Sequence, residues 1–130
     1  MSKYVVTVTT REIDTDTREM RFVSDTYISK ASTIEDIYRA VVGKYWDTDK
    51  LVSVYVRPTD EHLSTMFVVK RLYWDVYIER YFIESVSLRG ATSYDEVQRD
   101  VENVARTGKK IYLIRPATEQ ECEQYDFMSW

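Results

Sequence analysis

The residues that most often carry out chemistry in proteins are few in this sequence and lie far apart. The single histidine, His62, lies in a polar connector, and a lone histidine without a ligand cluster is typically a solvated surface residue. Cys122 lies between Glu121 and Glu123, and negative neighbours disfavour the reactive thiolate. We therefore expect no catalytic residue, no metal site and no bound cofactor.

Sequence motifs for phosphate, zinc or nucleophile chemistry are also absent from the chain. It contains none of the GxGxxG, GxxxxGK[ST], HExxH, CxxC and GxSxG patterns, and its three glycines are too few for a phosphate-binding loop. Carboxylate pairs occur at Glu35-Asp36 and Asp95-Glu96. Both pairs open a predicted helix, where negative charge stabilises the positive end of the helix dipole. We interpret them as structural.

Two arginines offer a candidate anion site. Arg57 and Arg115 each follow an apolar, strand-like run and precede one of the two prolines of the chain. If the two segments lie side by side, their guanidinium groups could grip one anion from two sides. The alternative is that each arginine pairs with a nearby acid, Glu61 or Glu119.

A second candidate is a nucleic-acid surface, because basic and aromatic residues alternate over residues 70–82. Single-strand binders combine a positive groove with stacking aromatic rings. The basic residues concerned are Lys70, Arg71, Lys109 and Lys110. A formal net charge of −4 and acids near every basic pair argue against this function.

The aromatic content is the strongest indication of a binding surface. Aromatic residues make up 14% of the chain and concentrate over residues 67–82. Successive side chains of a strand point to opposite faces, so a strand pair cannot bury all of these rings. Tyrosine and tryptophan are enriched in interface hot spots. The candidates for partner contact are Tyr73, Trp74, Tyr77 and Tyr81, and the alternative is a core between two units or two copies of the chain.

The last segment, residues 117–130, has four acids, no base and an apolar end with Phe127 and Trp130. Residues 1–116 carry equal numbers of basic and acidic side chains, so the net negative charge comes from this tail. An acidic stretch followed by aromatic residues can fold on contact with a partner. Equally, Phe127 and Trp130 could dock onto the body as a strap.

The chain also resembles itself. Residues 19–42 align with 79–102, residues 54–61 with 112–119, and residues 4–6 with 67–69. The offset changes only where loops are expected, as in a diverged duplication. The identical pairs of the longest segment are Glu19/Glu79, Phe22/Phe82, Ala31/Ala91, Arg39/Arg99 and Val41/Val101.

Periodicity predicts the same elements in each copy. β-branched and aromatic residues at period 2 predict strands, and an apolar stripe after a hydroxyl cap predicts each helix. The second helix is expected to bury Tyr94, Val97, Val101, Val104 and Ala105. Residues 66–84 could also form one long helix, but their β-branched and aromatic content favours two strands. The predicted strands are 3–13, 19–28, 51–57, a strand starting near 65, 77–88 and 110–115.

These patterns predict an α+β protein made by tandem duplication of a ββαβ unit, packed with pseudo-twofold symmetry as one pseudo-dimeric domain. The first repeat spans 1–61, the second 62–116, and the tail 117–130. The length of 130 residues, the hydrophobic content of 44% and the single cysteine are typical of a cytoplasmic globular protein.

The function that follows is a non-enzymatic protein-binding module, an inhibitor or adaptor that uses the aromatic hairpin and the acidic tail. A phage-like accessory protein acting on a host protein would fit this description. The first alternative is a nucleic-acid-binding protein. The second is an anionic small-ligand binder or enzyme with its cleft on the pseudo-twofold axis. A homodimer is a further expectation, and nothing in the sequence indicates a membrane partner.

Overall fold

Six strands form one mixed sheet in the computed structural model, which describes residues 2–45, 48–60, 65–75, 77–105 and 110–128. The strand order is β2-β1-β3-β6-β4-β5. Only β3 and β6 pair in parallel, and all other described pairs are antiparallel. The elements are β1 (Ser2–Ile13), β2 (Met20–Ala31), α1 (Ile34–Tyr45), β3 (Leu51–Pro58), β4 (Met66–Asp75), β5 (Arg80–Gly90), α2 (Tyr94–Val104), β6 (Lys110–Pro116) and α3 (Glu119–Met128). The protein is thus a small α+β domain.

The first hairpin forms where the alternation predicts it. Tyr4, Val6 and Val8 of β1 are buried on one face, as period-2 spacing requires. The turn that follows is closed by Asp14, whose Oδ1 accepts hydrogen bonds from the amides of Asp16 at 2.8 Å and Thr17 at 3.1 Å.

The second hairpin settles the assignment of residues 66–84. These residues form β4 and β5, paired antiparallel from Met66↔Gly90 to Asp75↔Arg80. The prediction of two strands is confirmed, and the alternative of one long helix is wrong. A register shift between Arg71 and Leu72 marks a bulge in this pair.

The helices begin at hydroxyl residues and bury one stripe each. The Thr33 hydroxyl accepts a hydrogen bond from the Asp36 amide at 3.2 Å at the start of α1. In α2 the prediction is wrong for Val104, whose exposed fraction is 65%. The side of α2 that faces the sheet carries Val97, Gln98 and Val101. Val104 lies at the edge of this side and is therefore exposed.

The two helices cover opposite faces of the sheet, and a separate core forms under each. Tyr4, Val6 and Val8 pack with Ile37 and Val41 of α1 on the side that we call the α1 face. On the other side, the α2 face, a second core contains residues of β3, β4, α2 and β6. Its buried members are Val52, Tyr55, Phe67, Val69, Val97, Val101, Ala105, Tyr112 and Ile114.

Hydrogen bonds tie the two halves of the sheet together. The hydroxyl of the buried Tyr38 of α1 donates a hydrogen bond of 2.5 Å to the Ile114 carbonyl of β6. Burial raises the pKa of Tyr38, so the hydroxyl keeps this proton. A second hydrogen bond runs from the first half to the second, because Arg11 of β1 donates to the Ala105 carbonyl at the end of α2. A cation at this position stabilises the negative end of the helix dipole.

Among the described residues, no helix is long and apolar enough to cross a membrane.

We expect Tyr38→Phe to lower the free energy of unfolding by about 1 kcal/mol, because the variant loses one buried hydrogen bond but keeps the ring. Urea denaturation followed by circular dichroism measures this change. Tyr77→Phe is the control, since Tyr77 is 93% exposed. Equal stability of the two variants would show that the Tyr38 hydroxyl does not hold α1 to β6.

Candidate functional site

The turn between β4 and β5 presents apolar side chains to solvent. Asp75 fixes the turn, because its Oδ1 accepts hydrogen bonds from the Tyr77 amide at 2.9 Å and the Ile78 amide at 3.4 Å. Glu79 completes the turn with a φ of 52°. The exposed fraction is 93% for Tyr77 and 54% for Ile78. We call Tyr77 and Ile78 the hairpin tip.

Aromatic pairs rigidify the strands directly behind the tip. Trp74 and Tyr81 face each other across the hairpin with ring centroids 4.9 Å apart at 64°, an edge-to-face geometry that aromatic pairs favour. Tyr81 also packs against the core of the α1 face, and burial raises its pKa. Tyr73 pairs with Phe82 at 5.9 Å on the opposite face. Aromatic contacts across the hairpin therefore hold in place the two strands that carry the tip.

The structure divides the predicted aromatic set between these roles. Tyr77 is a solvent-exposed tip residue and Tyr73 is partly exposed, whereas Trp74 and Tyr81 are half-buried. The sequence reasoning did not single out Ile78, Ile83 or Val86, although all three are exposed apolar residues of this hairpin. Alternation along β5 from Tyr81 could have found Ile83, whereas Val86 shares its face only because the bulge at Glu84 shifts the alternation.

Three basic residues of the predicted nucleic-acid surface each lie near an acid, whereas Arg80 of β5 lies over the Phe82 ring at 6.0 Å. Arg71 Nε lies 2.9 Å and Lys110 Nζ 3.3 Å from the same Glu84 Oε2. Lys70 Nζ lies 4.0 Å from Glu35 of α1, on the opposite face of the sheet. Lys109 lies outside the described residues. The described cations therefore do not form one continuous positive surface.

Arg57 and Arg115 occupy matching strand ends, and each donates from Nη1 to the carbonyl of the following proline at 3.3 Å. Their side chains nevertheless lie on opposite faces. Val56 belongs to the core of the α1 face and Ile114 to that of the α2 face, so alternation turns Arg57 toward the α2 face and Arg115 toward the α1 face. The structure does not bring the two guanidinium groups together on one anion.

Arg115 instead anchors the C-terminal helix. It makes a bidentate ion pair with Glu121 of α3, with distances of 2.7 and 2.9 Å. The partner is Glu121 and not Glu119, because Thr118 and Glu121 form a capping box: the Thr118 amide donates to Oε1 at 2.9 Å and the Glu121 amide to the Thr118 hydroxyl at 3.2 Å. Hydrogen bonds from Arg115 and Thr118 lower the pKa of Glu121 to about 2.

The tail is thus helical over Glu119–Met128, and its first turn is fixed to the body. The side chain of Phe127 and the whole of Trp130 lie outside what the structure describes, so their predicted role in partner contact stays a prediction. Glu61, the predicted partner of Arg57, and the connector histidine His62 also lie outside the described residues.

A buried network of hydroxyl groups lies under α2, and sequence reasoning missed it. The amide nitrogen of Gln98 donates to the Thr9 hydroxyl at 3.0 Å, while its oxygen accepts from Ser53 at 3.2 Å and from Tyr94. Thr9 in turn lies 2.7 Å from the Ser24 hydroxyl. The spacing from Tyr94 to Gln98 places both on the buried side of α2, which was the available signal.

The protonation state of Tyr94 fits a structural role for this network. Burial raises the pKa of Tyr94, so its hydroxyl stays protonated and acts as a donor. Within the described ranges, no group of three or more histidine, cysteine, aspartate or glutamate residues could hold a metal ion. Cys122 is a half-buried free thiol.

Comparison with known protein families, with curated proteins and with solved structures finds no match.

We expect Gln98→Ala to lower the free energy of unfolding by about 2 kcal/mol, because the fully buried Thr9 and Ser53 lose a hydrogen-bond partner. Gln120→Ala, at an exposed helical position, is the control and should change stability by less than about 0.5 kcal/mol. Denaturant titration measures both changes, and equal losses would contradict the importance of the network.

The ion pair of α3 predicts a specific pH dependence. The pKa of Glu121 is about 2 in the folded chain against an ordinary 4.5, so the unfolded state binds the proton first as pH falls. The stability from this carboxylate is complete above pH 4.5 and is lost as the pH falls toward 2.

Glu121→Gln keeps a capping-box residue but removes the charge, so its melting temperature should lie below that of the native chain at pH 7. The gap should close as the pH approaches 2. Glu119→Gln is the control, because Glu119 has no ion pair among the described residues. A gap for Glu121→Gln that does not vary with pH would contradict the assignment.

Proposed function

We propose that this chain is a non-enzymatic protein-binding module, of the inhibitor or adaptor type, whose primary contact is the hairpin tip. The observation that supports the proposal most directly is the exposure of Tyr77 and Ile78 at the end of a braced hairpin. Solvent-exposed tyrosine and isoleucine side chains gain free energy when a partner removes them from water.

The geometry favours binding because little has to be ordered on contact. Asp75 already holds the turn with two hydrogen bonds, and the Trp74–Tyr81 pair fixes the strands behind it. A preorganised apolar anchor loses less side-chain and backbone entropy on association than a mobile loop. Tyrosine also offers a large contact area with only two rotatable side-chain bonds.

Charge contributes less to this surface than apolar contact. Glu84 compensates Arg71 and Lys110, and Glu35 compensates Lys70. A nucleic acid would have to compete with these carboxylates for each cation. The arrangement thus favours a protein partner over a nucleic acid, and the separation of Arg57 from Arg115 leaves the anion-binding alternative without its paired site.

We also propose that the chain arose by tandem duplication of a ββαβ unit. The order of strands and helices through β6 is the same in both halves, and the sheet order reads as one half followed by the other in reverse. A twofold axis in the plane of the sheet, between the parallel β3 and β6, would relate the halves and place α1 and α2 on opposite faces.

Two grooves support this relation. One, of about 240 Å³, lies between α1 and β2, and its lining includes Asp25, Tyr27 and Val41. The other, of about 200 Å³, lies between α2 and β5. Its lining includes Ser85, Ser87 and Val101, which the internal alignment makes equivalent to those three. We expect the two halves of any related chain to align with each other at the same offsets. Related chains whose halves show no such alignment would contradict a duplication.

The proposed function is tested by affinity capture from the native cell, using the tagged native chain and nuclease-treated extracts analysed by mass spectrometry. Tyr77→Ala should reduce recovery of the captured protein at least tenfold, and Trp74→Ala should weaken it by loosening the support. Such a loss corresponds to about 1.4 kcal/mol or more, which is within the range of a hot-spot residue.

Thr15→Ala in the turn of the first hairpin is the matched control and should capture as the native chain does. Phe127→Ser combined with Trp130→Ser tests the contribution of the tail separately. Unchanged capture by Tyr77→Ala, with all variants equally stable to heat, would exclude the tip as the contact. Capture that disappears after nuclease treatment would favour a nucleic acid.

A further inference from the structure

The edge strand β5 carries a second surface, distinct from the hairpin tip. β4 pairs with one side of β5, and among the described residues no strand pairs with the other. Ile83 and Val86, in the middle of β5, are each 59% exposed. Natural edge strands are often short, charged, bulged or interrupted by proline. β5 is 11 residues long, contains no proline, and carries one charged residue, Glu84 at the bulge, between Tyr81 and Leu88.

We infer that β5 pairs antiparallel with β5 of a second copy of this chain, which joins the two sheets edge to edge in a symmetric dimer. The inference does not depend on the proposed function of the tip. It rests on the self-complementarity of the strand, because a twofold interface must match each residue with its counterpart read in reverse.

One register satisfies this condition for the exposed apolar residues. Ile83 pairs across from Leu72 of the α1-face core, and Val86 pairs across from Lys70, which contacts α1. Both therefore point to the α1 face. In this register Glu84 of one copy lies opposite Ser85 of the other. Ile83 then lies opposite Val86, and Tyr81 lies opposite Leu88. The twofold axis forms each of these pairs twice. Cross-strand pairs of this kind stabilise a sheet.

The charges of β5 permit this approach. The one acid in the middle of the strand, Glu84, is already paired with Arg71 and Lys110. The same register places Arg89 opposite Arg80 of the second copy. Asp100 of α2 is paired with Arg89 and reduces the repulsion between these two arginines. The other edge strand, β2, exposes Ile28 near one end. It is less suitable because its middle reads Ser24-Asp25-Thr26, and self-pairing centred there would bring two Asp25 side chains close together.

Sedimentation velocity of the full chain over a range of concentrations tests the inference. The native chain should sediment as a dimer at high concentration. Val86→Lys should weaken self-association at least tenfold, because it places like charges beside an apolar contact. Thr26→Lys, at the aligned position of β2, is the matched control and should leave the dimer intact.

Disulfide trapping tests the register, in a Cys122→Ser background. Chains carrying Ile83→Cys and chains carrying Val86→Cys should form a mixed disulfide when combined, while each alone should form none across this edge. A native chain that stays monomeric at all concentrations would overturn the inference. So would a dimer that Thr26→Lys breaks and Val86→Lys does not, or trapping of Ile83→Cys with itself.

Discussion

The parallel contact between β3 and β6 is the constraint on which the rest of the molecule depends. It joins the two antiparallel halves through the register Ser53↔Tyr112 to Tyr55↔Ile114. Because these strands run the same way, corresponding side chains of the two halves point to opposite faces. Val54 therefore enters the core under α1 and Tyr112 the core under α2. One sheet thus supports two cores, and neither half completes its core without the other.

This arrangement leaves each outer hairpin with one face that no core covers, and the two halves treat that face differently. On β1 and β2 the open part of that face carries the hydroxyl pair of Thr7 with Thr26 at 3.0 Å, with the exposed Ile28 farther along β2. On β4 and β5 the corresponding positions include Ile83 and Val86, which are exposed and apolar. A polar face is stable in water on its own, whereas an apolar face is stabilised by contact. On the second hairpin, the exposed Ile83 and Val86 thus lie near each other on one face.

The strands, the first two helices and the hairpin at residues 66–84 could be predicted because periodicity and capping are local properties of the sequence. The opposite placement of Arg57 and Arg115 could not, since it depends on which strands meet at the centre of the sheet and in which direction. Glu121 was within reach, because Thr118 and Glu121 have the spacing of a capping box. Gln98 was not predicted, because its role depends on two buried hydrogen-bond partners, Thr9 and Ser53, that lie far from it in the sequence.

The distribution of ion pairs supports the proposal that the second hairpin binds through apolar contacts more than through charge. Glu121 engages Arg115, Glu35 engages Lys70, and Glu84 engages both Arg71 and Lys110. The acidic tail therefore stabilises its own attachment to the body, in addition to giving the chain its net charge. In the proposed complexes, the free energy of binding would therefore come chiefly from apolar contacts at Tyr77, Ile78, Ile83 and Val86. Such contacts are little affected by salt, whereas binding through exposed cations weakens steeply as salt rises.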